Sequence, residues 1–107
     1  MSKFFNDVHQ VVRLIPKGRV TSYGAIARYL GHPKKSQLVG WAMKAAHDDP
    51  TIPAHRVVNK TGELIGRYRF DSPLTMQQRL QQEGVRVKND RVENLIIVFW
   101  DPSKALL

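Results

Sequence analysis

The chain contains no cysteine among its 107 residues. Disulfides, thiolate metal sites and cysteine nucleophiles are therefore excluded together. No apolar run reaches the length needed to cross a bilayer. Residues 1–10 carry an acid and a histidine where an export signal needs an unbroken apolar stretch. These absences predict one small domain over residues 1–107, located in the cytoplasm and not associated with a membrane.

Acidic side chains are scarce in the first half of the chain, because after Asp7 the next acid is Asp48. Lysine and arginine are frequent between them, and the whole chain has a formal charge of +8. A long stretch of one charge sign makes a field that attracts polyanions. The charge distribution therefore favours a nucleic acid partner over the simpler alternative, a basic surface without one.

The spacing of apolar residues in the first half predicts helices. The first covers residues 4–15. The second is short, is capped by Thr21 or Ser22 and ends at Leu30. The third covers residues 35–47. Because the second and third are joined by a tight turn that contains glycine, they form a helix-turn-helix pattern.

The second half of the sequence predicts two hairpins and one more helix. The first hairpin turns at residues 59–62, and the helix covers residues 73–83. The second hairpin turns at Asn89 and Asp90. Residues 95–99 are apolar on both faces, which predicts a buried last strand. The predicted fold class is α+β, a single domain with a helix-turn-helix and wing-like hairpins.

The most specific stretch of the sequence is Pro-x-His-Arg-Val at residues 53–57, with alanine at x. Other characteristic residues flank it: Tyr23, Gly24, Val39, Gly40, Ala42, Met43, Val58, Asn59, Gly62, Glu83 and Gly84. In this order they resemble the O6-alkylguanine-DNA alkyltransferase family over about residues 3–88. The resemblance implies the winged helix-turn-helix fold of the alkyltransferase DNA-binding domain.

Ala54 stands where the active alkyltransferases have the cysteine that accepts the alkyl group. The chain therefore resembles the alkyltransferase-like proteins, which lack that cysteine. The resemblance implies a monomer without metal or cofactor that binds duplex DNA containing O6-alkylguanine, flips the lesion into a pocket and passes it to nucleotide excision repair proteins. The chemistry agrees, since dealkylation needs a soft nucleophile such as a thiolate. A methyl side chain cannot attack, but it leaves room for the alkyl group.

The resemblance also implies a lesion pocket formed by Tyr23, Pro53, Ala54, His55, Arg67 and Trp100. Tyr23 would press on the phosphate beside the flipped base and help it rotate, or it belongs to the core. Arg67 would lie over the alkylated base, or it contacts a phosphate or solvent. Trp100 would line the pocket, or it caps the core.

The DNA-binding surface is expected along the third helix. Its predicted members are Tyr23, Lys34, Lys35, Gln37, Gly40, Trp41, Lys44 and Arg56. Relatives usually have an arginine at the position of Gln37, where it intercalates into the space that the flipped base leaves. Glutamine is shorter and uncharged, so it stacks less well. Arg56 either contacts the lesion region or is buried and positions its neighbours.

His55 and Glu83 match the pair that relays a proton to the cysteine in active relatives. Without a thiol the pair has no catalytic task, and we expect it to hold the pocket together by a buried hydrogen bond.

Two other functions compete with lesion recognition. A winged-helix binder of undamaged DNA, such as a regulator, explains the charge but has no use for the Pro53 frame or the His55–Glu83 pair. An enzyme that uses His55 or a bound water lacks a plausible alkyl acceptor. The sequence therefore favours a protein that recognises damaged DNA without catalysis.

Overall fold

The computed structural model describes residues 2–46 and 48–106. Within these ranges the α-helices, in chain order, are α1 Ser2–Arg13, α2 Tyr23–Tyr29, α3 Ser36–Ala45, α4 Thr75–Gln82, α5 Leu95–Val98 and α6 Pro102–Ala105. The strands are β1 Thr21–Ser22, β2 Val57–Val58, β3 Val87–Lys88 and β4 Arg91–Val92. Short 3-10 helices cover Ala54–Arg56 and Arg67–Arg69. The predicted α+β class is confirmed.

The helices predicted from periodicity are confirmed, with shifted ends. Ser22 caps α2, because its side-chain oxygen accepts a hydrogen bond from the backbone N–H of Ala25 at 3.1 Å. The prediction extended α3 to His47, which lies outside the described residues. No helix in residues 2–46 or 48–106 is long and apolar enough to cross a membrane.

The first predicted hairpin is wrong in its pairing. A turn does form, since the N–H of Gly62 donates to the carbonyl of Asn59 at 2.9 Å. However, β2 pairs in parallel with β1. Beyond the turn, the carbonyl of Glu63 accepts from the N–H of Asn59 at 3.1 Å, and Glu63 forms an isolated bridge to Arg91 and no strand with β2. Both side chains of β2 are buried. Strands buried on both faces are typical of parallel pairing.

The second predicted hairpin is confirmed. β3 and β4 pair antiparallel, with Val87 opposite Val92. Asn89 and Asp90 have φ angles of 54° and 60°. Two consecutive left-handed residues are what a two-residue type I′ turn requires, and Asn and Asp adopt this conformation more readily than most residues.

The buried last strand predicted at residues 95–99 is wrong. The chain forms the single-turn helix α5 there, and Ile96 and Ile97 are 91% and 70% exposed. Asn94 is left-handed, with a φ of 53°, which turns the chain out of the extended conformation. A short apolar run does not by itself distinguish strand from helix.

The short β1–β2 ladder lies between two groups of buried apolar side chains. One group joins α1, α2 and α3 with Val57 and Trp100. The other joins Val20 and Val58 with α4 and the β3–β4 region. Because β1 leads directly into α2 and β2 directly follows the 3-10 helix at Ala54, the ladder fixes these two segments side by side.

Candidate nucleic-acid interface

Ala54 lies at the start of a 3-10 helix and borders a small cavity of about 10 Å³. A cavity of this volume holds about one water molecule. Its other lining residues are Tyr23, Met43, Gly66, Arg69 and Phe70. The cavity is therefore built from the start of α2, the core side of α3, the Ala54 turn and the chain around the second 3-10 helix.

Glu83, just after α4, holds the Ala54 turn through two side chains. Its Oε2 lies 2.8 Å from Nε2 of His55 and 2.6 Å from Nη2 of Arg56. Arg56 also donates to the carbonyl of Ile15 at 2.9 Å, and Gly18 donates its N–H to Glu83 at 3.2 Å. The side chains of His55 and Glu83 are 11% and 10% exposed. This cluster ties the end of α4 and the segment that follows α1 to the Ala54 turn.

The protonation states in this cluster follow from its geometry. Burial by itself would raise the pKa of Glu83, but hydrogen bonds from Arg56 and His55 outweigh it and lower the pKa to about 2. Burial lowers the pKa of His55, although the hydrogen bond to Glu83 opposes this. A neutral His55 donates from Nε2 to the carboxylate, which leaves Nδ1 as an acceptor. Nδ1 is buried and has no hydrogen-bond partner in the part of the chain that the structure describes.

Tyr23 is the first residue of α2 and is only 8% exposed. Burial raises the pKa of its hydroxyl, and the neighbouring Arg69 guanidinium opposes this shift. Nη1 of Arg69 donates to that hydroxyl at 3.4 Å. A Cβ on Gly66 would stand 3.1 Å from the same hydroxyl oxygen and 3.3 Å from Nη1 of Arg69. The glycine therefore permits the close approach of Tyr23 and Arg69.

The cavity is lined by Arg69 and not by the predicted Arg67. Arg67 turns away because its guanidinium donates to the carbonyl of Leu64 at 2.8 Å and lies 3.7 Å from a carboxylate oxygen of Asp90. It also stacks over the ring of Tyr68, 4.7 Å from the ring centroid. Within the 3-10 helix only Arg69 reaches the Ala54 region.

A broad open cavity of about 1470 Å³ lies beside Tyr23, and its wall is called the concave surface below. The predicted residues Gln37, Gly40 and Trp41 of α3 line it, and so does Trp100. Its charged members are Arg19, Arg28, Lys60, Arg69 and Lys104 against the single acid Asp101. The surface is therefore basic, and it presents one face of the helix-turn-helix.

Trp100 packs in the core and lines the concave surface, but not the small cavity. It lines the concave surface, yet it is only 8% exposed and packs with the apolar side chains of α1, α2 and α3. It does not border the small cavity beside Ala54. The structure thus separates Trp100 from the pocket in which the sequence analysis placed it.

A second cavity of about 840 Å³ lies on the other side of the Ala54 turn. Pro53, His55 and Arg56 line this cavity and border neither the small cavity nor the concave surface. Arg56 was expected to contact the lesion region or to position its neighbours, and its bonds to Glu83 and Ile15 match the second role. Ala54, Arg69 and Phe70 line both the small cavity and this second cavity.

The remaining predicted cations lie at the edge of this arrangement. Lys34, Lys35 and Lys44 are exposed, but they do not line the concave surface. Lys34 and Lys35 directly precede α3 and Lys44 lies in its last turn, where a longer ligand can reach them. Among residues 2–46 and 48–106 no group of three histidine or acidic side chains is arranged to hold a metal ion.

Sequence reasoning missed several residues that border the cavity. Met43 was named only among the residues that carry the family resemblance, and Gly66, Phe70 and Arg69 were given no role. The available signal was the run of arginines around Tyr68, which brings two guanidinium groups into one turn of chain.

A basic helix-turn-helix face beside an alanine-bearing turn of Pro-Ala-His-Arg defines a DNA-binding domain of the alkyltransferase class. Residues 3–85 match the family described as 6-O-methylguanine DNA methyltransferase, DNA binding domain. The chain belongs to this family.

Relatives cover nearly the whole chain. Alkyltransferase-like protein 1 of Schizosaccharomyces pombe is 39% identical over 106 residues, which span 95% of this chain and 98% of that protein. The DNA base-flipping protein of Escherichia coli is 39% identical over 100 residues, spanning 92% and 74%. The crystal structure of S. pombe Atl1 in complex with damaged DNA containing O6-carboxymethylguanine matches with a TM-score of 0.84 at 36% identity, covering 95% and 98% of the two chains.

Proposed function

We propose that this protein recognises O6-alkylguanine in double-stranded DNA, rotates the modified base towards the cavity beside Ala54 and leaves the alkyl group in place. One observation carries the proposal. His55 and Glu83 form a short hydrogen bond, while the adjoining Ala54 offers only a methyl group. Transfer of an alkyl group from guanine needs a soft nucleophile such as a thiolate, and the chain contains no cysteine.

The relatives support this proposal. The S. pombe protein has been crystallised with DNA that contains O6-carboxymethylguanine, and its fold is close to this one. The E. coli relative is named for base flipping. The basic concave surface of this chain is suited to the DNA backbone, and Tyr23 joins that surface to the small cavity.

Entry of a base requires the small cavity to widen, because about 10 Å³ does not accommodate a purine. Arg69 is the side chain that must move, since it lines the cavity and the concave surface and donates to Tyr23. Once displaced, its guanidinium can stack on the flipped base, a contact worth about 1–2 kcal/mol. This proposal gives Arg69 the role that the sequence analysis gave to Arg67.

The surrounding residues complete the proposed interface. Gln37, Gly40 and Trp41 face the duplex from α3. Lys34, Lys35 and Lys44, at the two ends of that helix, contact the DNA backbone. Flipping costs a few kcal/mol, which phosphate contacts and Tyr23 must offset. In this proposal residues 1–107 act as one cytoplasmic, monomeric unit without catalytic activity, and the bound lesion is then passed to nucleotide excision repair proteins.

Binding of undamaged DNA is the second candidate function. Gln37 favours it, because relatives usually have an arginine at this position and glutamine is a weaker stacking partner. The small volume of the cavity favours it too. This candidate gives no role to the tightly bonded His55–Glu83 pair.

The test is a titration of two labelled duplexes that differ only by one O6-methylguanine. Lesion recognition predicts binding that is at least about tenfold tighter to the modified duplex, or about 1.4 kcal/mol. Equal affinities would favour the second candidate.

The matched variants are Tyr23→Phe and Tyr29→Phe, both on α2. Tyr29 is partly exposed and does not line the concave surface. Loss of the Tyr23 hydroxyl should weaken binding to the lesion about 3- to 10-fold, as expected for one hydrogen bond. Tyr29→Phe should leave it unchanged.

A further inference from the structure

Helix α5 exposes two large apolar side chains that the domain core does not use. Ile96 is 91% and Ile97 is 70% exposed. Ile96 lines the same concave surface as Gln37 and Trp41 of α3, whereas Ile97 does not line it. One face of this single-turn helix is thus continuous with the proposed DNA interface.

Backbone hydrogen bonds fix α5 to the chain that leads into Tyr23. The N–H of Val20 donates to the carbonyl of Val98 at 3.0 Å, and the N–H of Trp100 donates to the carbonyl of Val20 at 2.7 Å. Arg19 donates from its guanidinium to the carbonyl of Ile97 at 3.1 Å. The position of Ile96 relative to α2 is therefore set by strand-like bonding and a side-chain bond, despite its exposure.

The charges around Ile96 indicate the chemistry of its partner. Lys60 and Lys104 are exposed and line the same concave surface. The acid of this surface, Asp101, is engaged in capping α6, because its carboxylate accepts from the N–H of Ser103 at 3.0 Å. A DNA strand alternates anionic phosphates with largely apolar deoxyribose faces. Cations beside an exposed isoleucine match this alternation.

We propose that α5 is a second DNA-contacting element, in which Ile96 packs against deoxyribose while Lys60 and Lys104 bind neighbouring phosphates. The inference rests on the proposed function, since it places the duplex in the concave surface. It also goes beyond the family match, which ends at residue 85, before α5 begins. Contacts of this kind stabilise any duplex and carry no lesion preference.

The test compares Ile96→Glu with Ile97→Glu in the full chain. Both variants add one negative charge to an exposed position of the same helix, so their long-range electrostatic effects on DNA affinity are matched. Ile96→Glu should bind both the modified and the unmodified duplex about tenfold more weakly than Ile97→Glu, because the carboxylate faces the backbone. The ratio of the affinities for the two duplexes should be the same as for the unaltered chain.

Two readouts separate this inference from the proposed function. The ratio of the affinities for the modified and the unmodified duplex tests lesion recognition. The ratio of the DNA affinities of Ile96→Glu and Ile97→Glu tests the role of α5. Equal losses for Ile96→Glu and Ile97→Glu, or a larger loss for Ile97→Glu, would overturn the proposal and leave α5 as a surface for a protein partner. Thermal melts of both variants check that folding is unchanged.

Discussion

Gln37 and Ala54 are the two residues at which the resemblance predicts a departure from the active alkyltransferases. Ala54 offers no nucleophile, and the hydrogen bonds of His55 and Arg56 to Glu83 lie beside it. Gln37 lies exposed in the first turn of α3 and lines the concave surface. One departure concerns chemistry and the other concerns affinity, so they can be tested separately.

Replacing Gln37 with arginine should strengthen binding to lesion-containing DNA by about 1–3 kcal/mol. The arginine adds a positive charge and a planar group that can stack in the space left by the flipped base. Titration of one labelled duplex by both proteins measures the effect. Gln78→Arg is the matched control, because Gln78 is an exposed glutamine of α4 outside the concave surface. If the two variants gain equally, Gln37 does not occupy the intercalating position.

The sequence identified Ala54 and Tyr23 because each lies in a family motif. It placed Arg67 in the pocket and not Arg69, although both are arginines of one short turn and no local signal distinguishes them. The choice depends on Asp90, which is distant in sequence and binds Arg67 through an ion pair. Partners that the fold brings together in this way leave no local pattern.

The helices and strands show the same division between local and distant determinants. Helices α1 to α4 were predicted because their apolar periodicity is local. The turn at Asn89 and Asp90 was predicted because the residues themselves favour it. The parallel pairing of β2 with β1 was missed, because the two strands are separated in the chain by α2, α3 and the 3-10 helix at Ala54. Helix α5 was missed because its apolar run suits either structure.

Glu83 connects the end of α4 to the Ala54 turn, so its loss should destabilise the fold. Glu83→Gln should lower the free energy of unfolding by about 2–4 kcal/mol at neutral pH, because it leaves the partly buried Arg56 without its anionic partner. Urea unfolding measures this. Glu93→Gln is the control, since Glu93 is exposed and its removal should change stability by less than about 0.5 kcal/mol.

The pH dependence of stability follows from the same cluster. The pKa of Glu83 is lowered from 4.5 to about 2 on folding, so the folded state binds fewer protons and acid favours unfolding. The contribution is complete above pH 4.5 and is lost as the pH falls towards about 2. The lowered pKa of His55 acts in the same direction below its ordinary value of 6.5.

Urea titrations across the acid range test this pH dependence. The unaltered chain should lose on the order of 1–3 kcal/mol from the Glu83 contribution, and Glu83→Gln should lack that part of the loss. A variant that loses stability in parallel with the unaltered chain would show that Glu83 is not the group responsible.

The charge of the whole molecule sets how it binds DNA. The formal charge is +8, and the concave surface gathers arginine and lysine around one acid. Neutralising phosphates releases counterions, so affinity should fall steeply with salt. With about four phosphate contacts, log K should fall against log salt with a slope of about −3 to −5.

Anisotropy titrations between about 50 and 200 mM salt measure this slope. Lys104→Ala should reduce its magnitude by about 1, because one phosphate contact is lost. Lys3→Ala should leave it unchanged, since Lys3 pairs with Asp7 on α1 and lies outside the concave surface. A slope near zero would exclude the backbone-binding surface described above.

Mass spectrometry after binding tests whether the protein recognises the lesion and leaves it intact. A duplex with one O6-methylguanine is incubated with excess protein, and the masses of the nucleosides and of the protein are then measured. Ala54→Cys serves as the comparison, because it places a thiol beside the His55–Glu83 pair. This variant should gain at most one methyl group, slowly, since small errors in geometry are costly. For the unaltered chain we expect full recovery of O6-methylguanine and an unchanged protein mass. A methylated unaltered protein, with a matching loss of the modified base, would overturn recognition without catalysis.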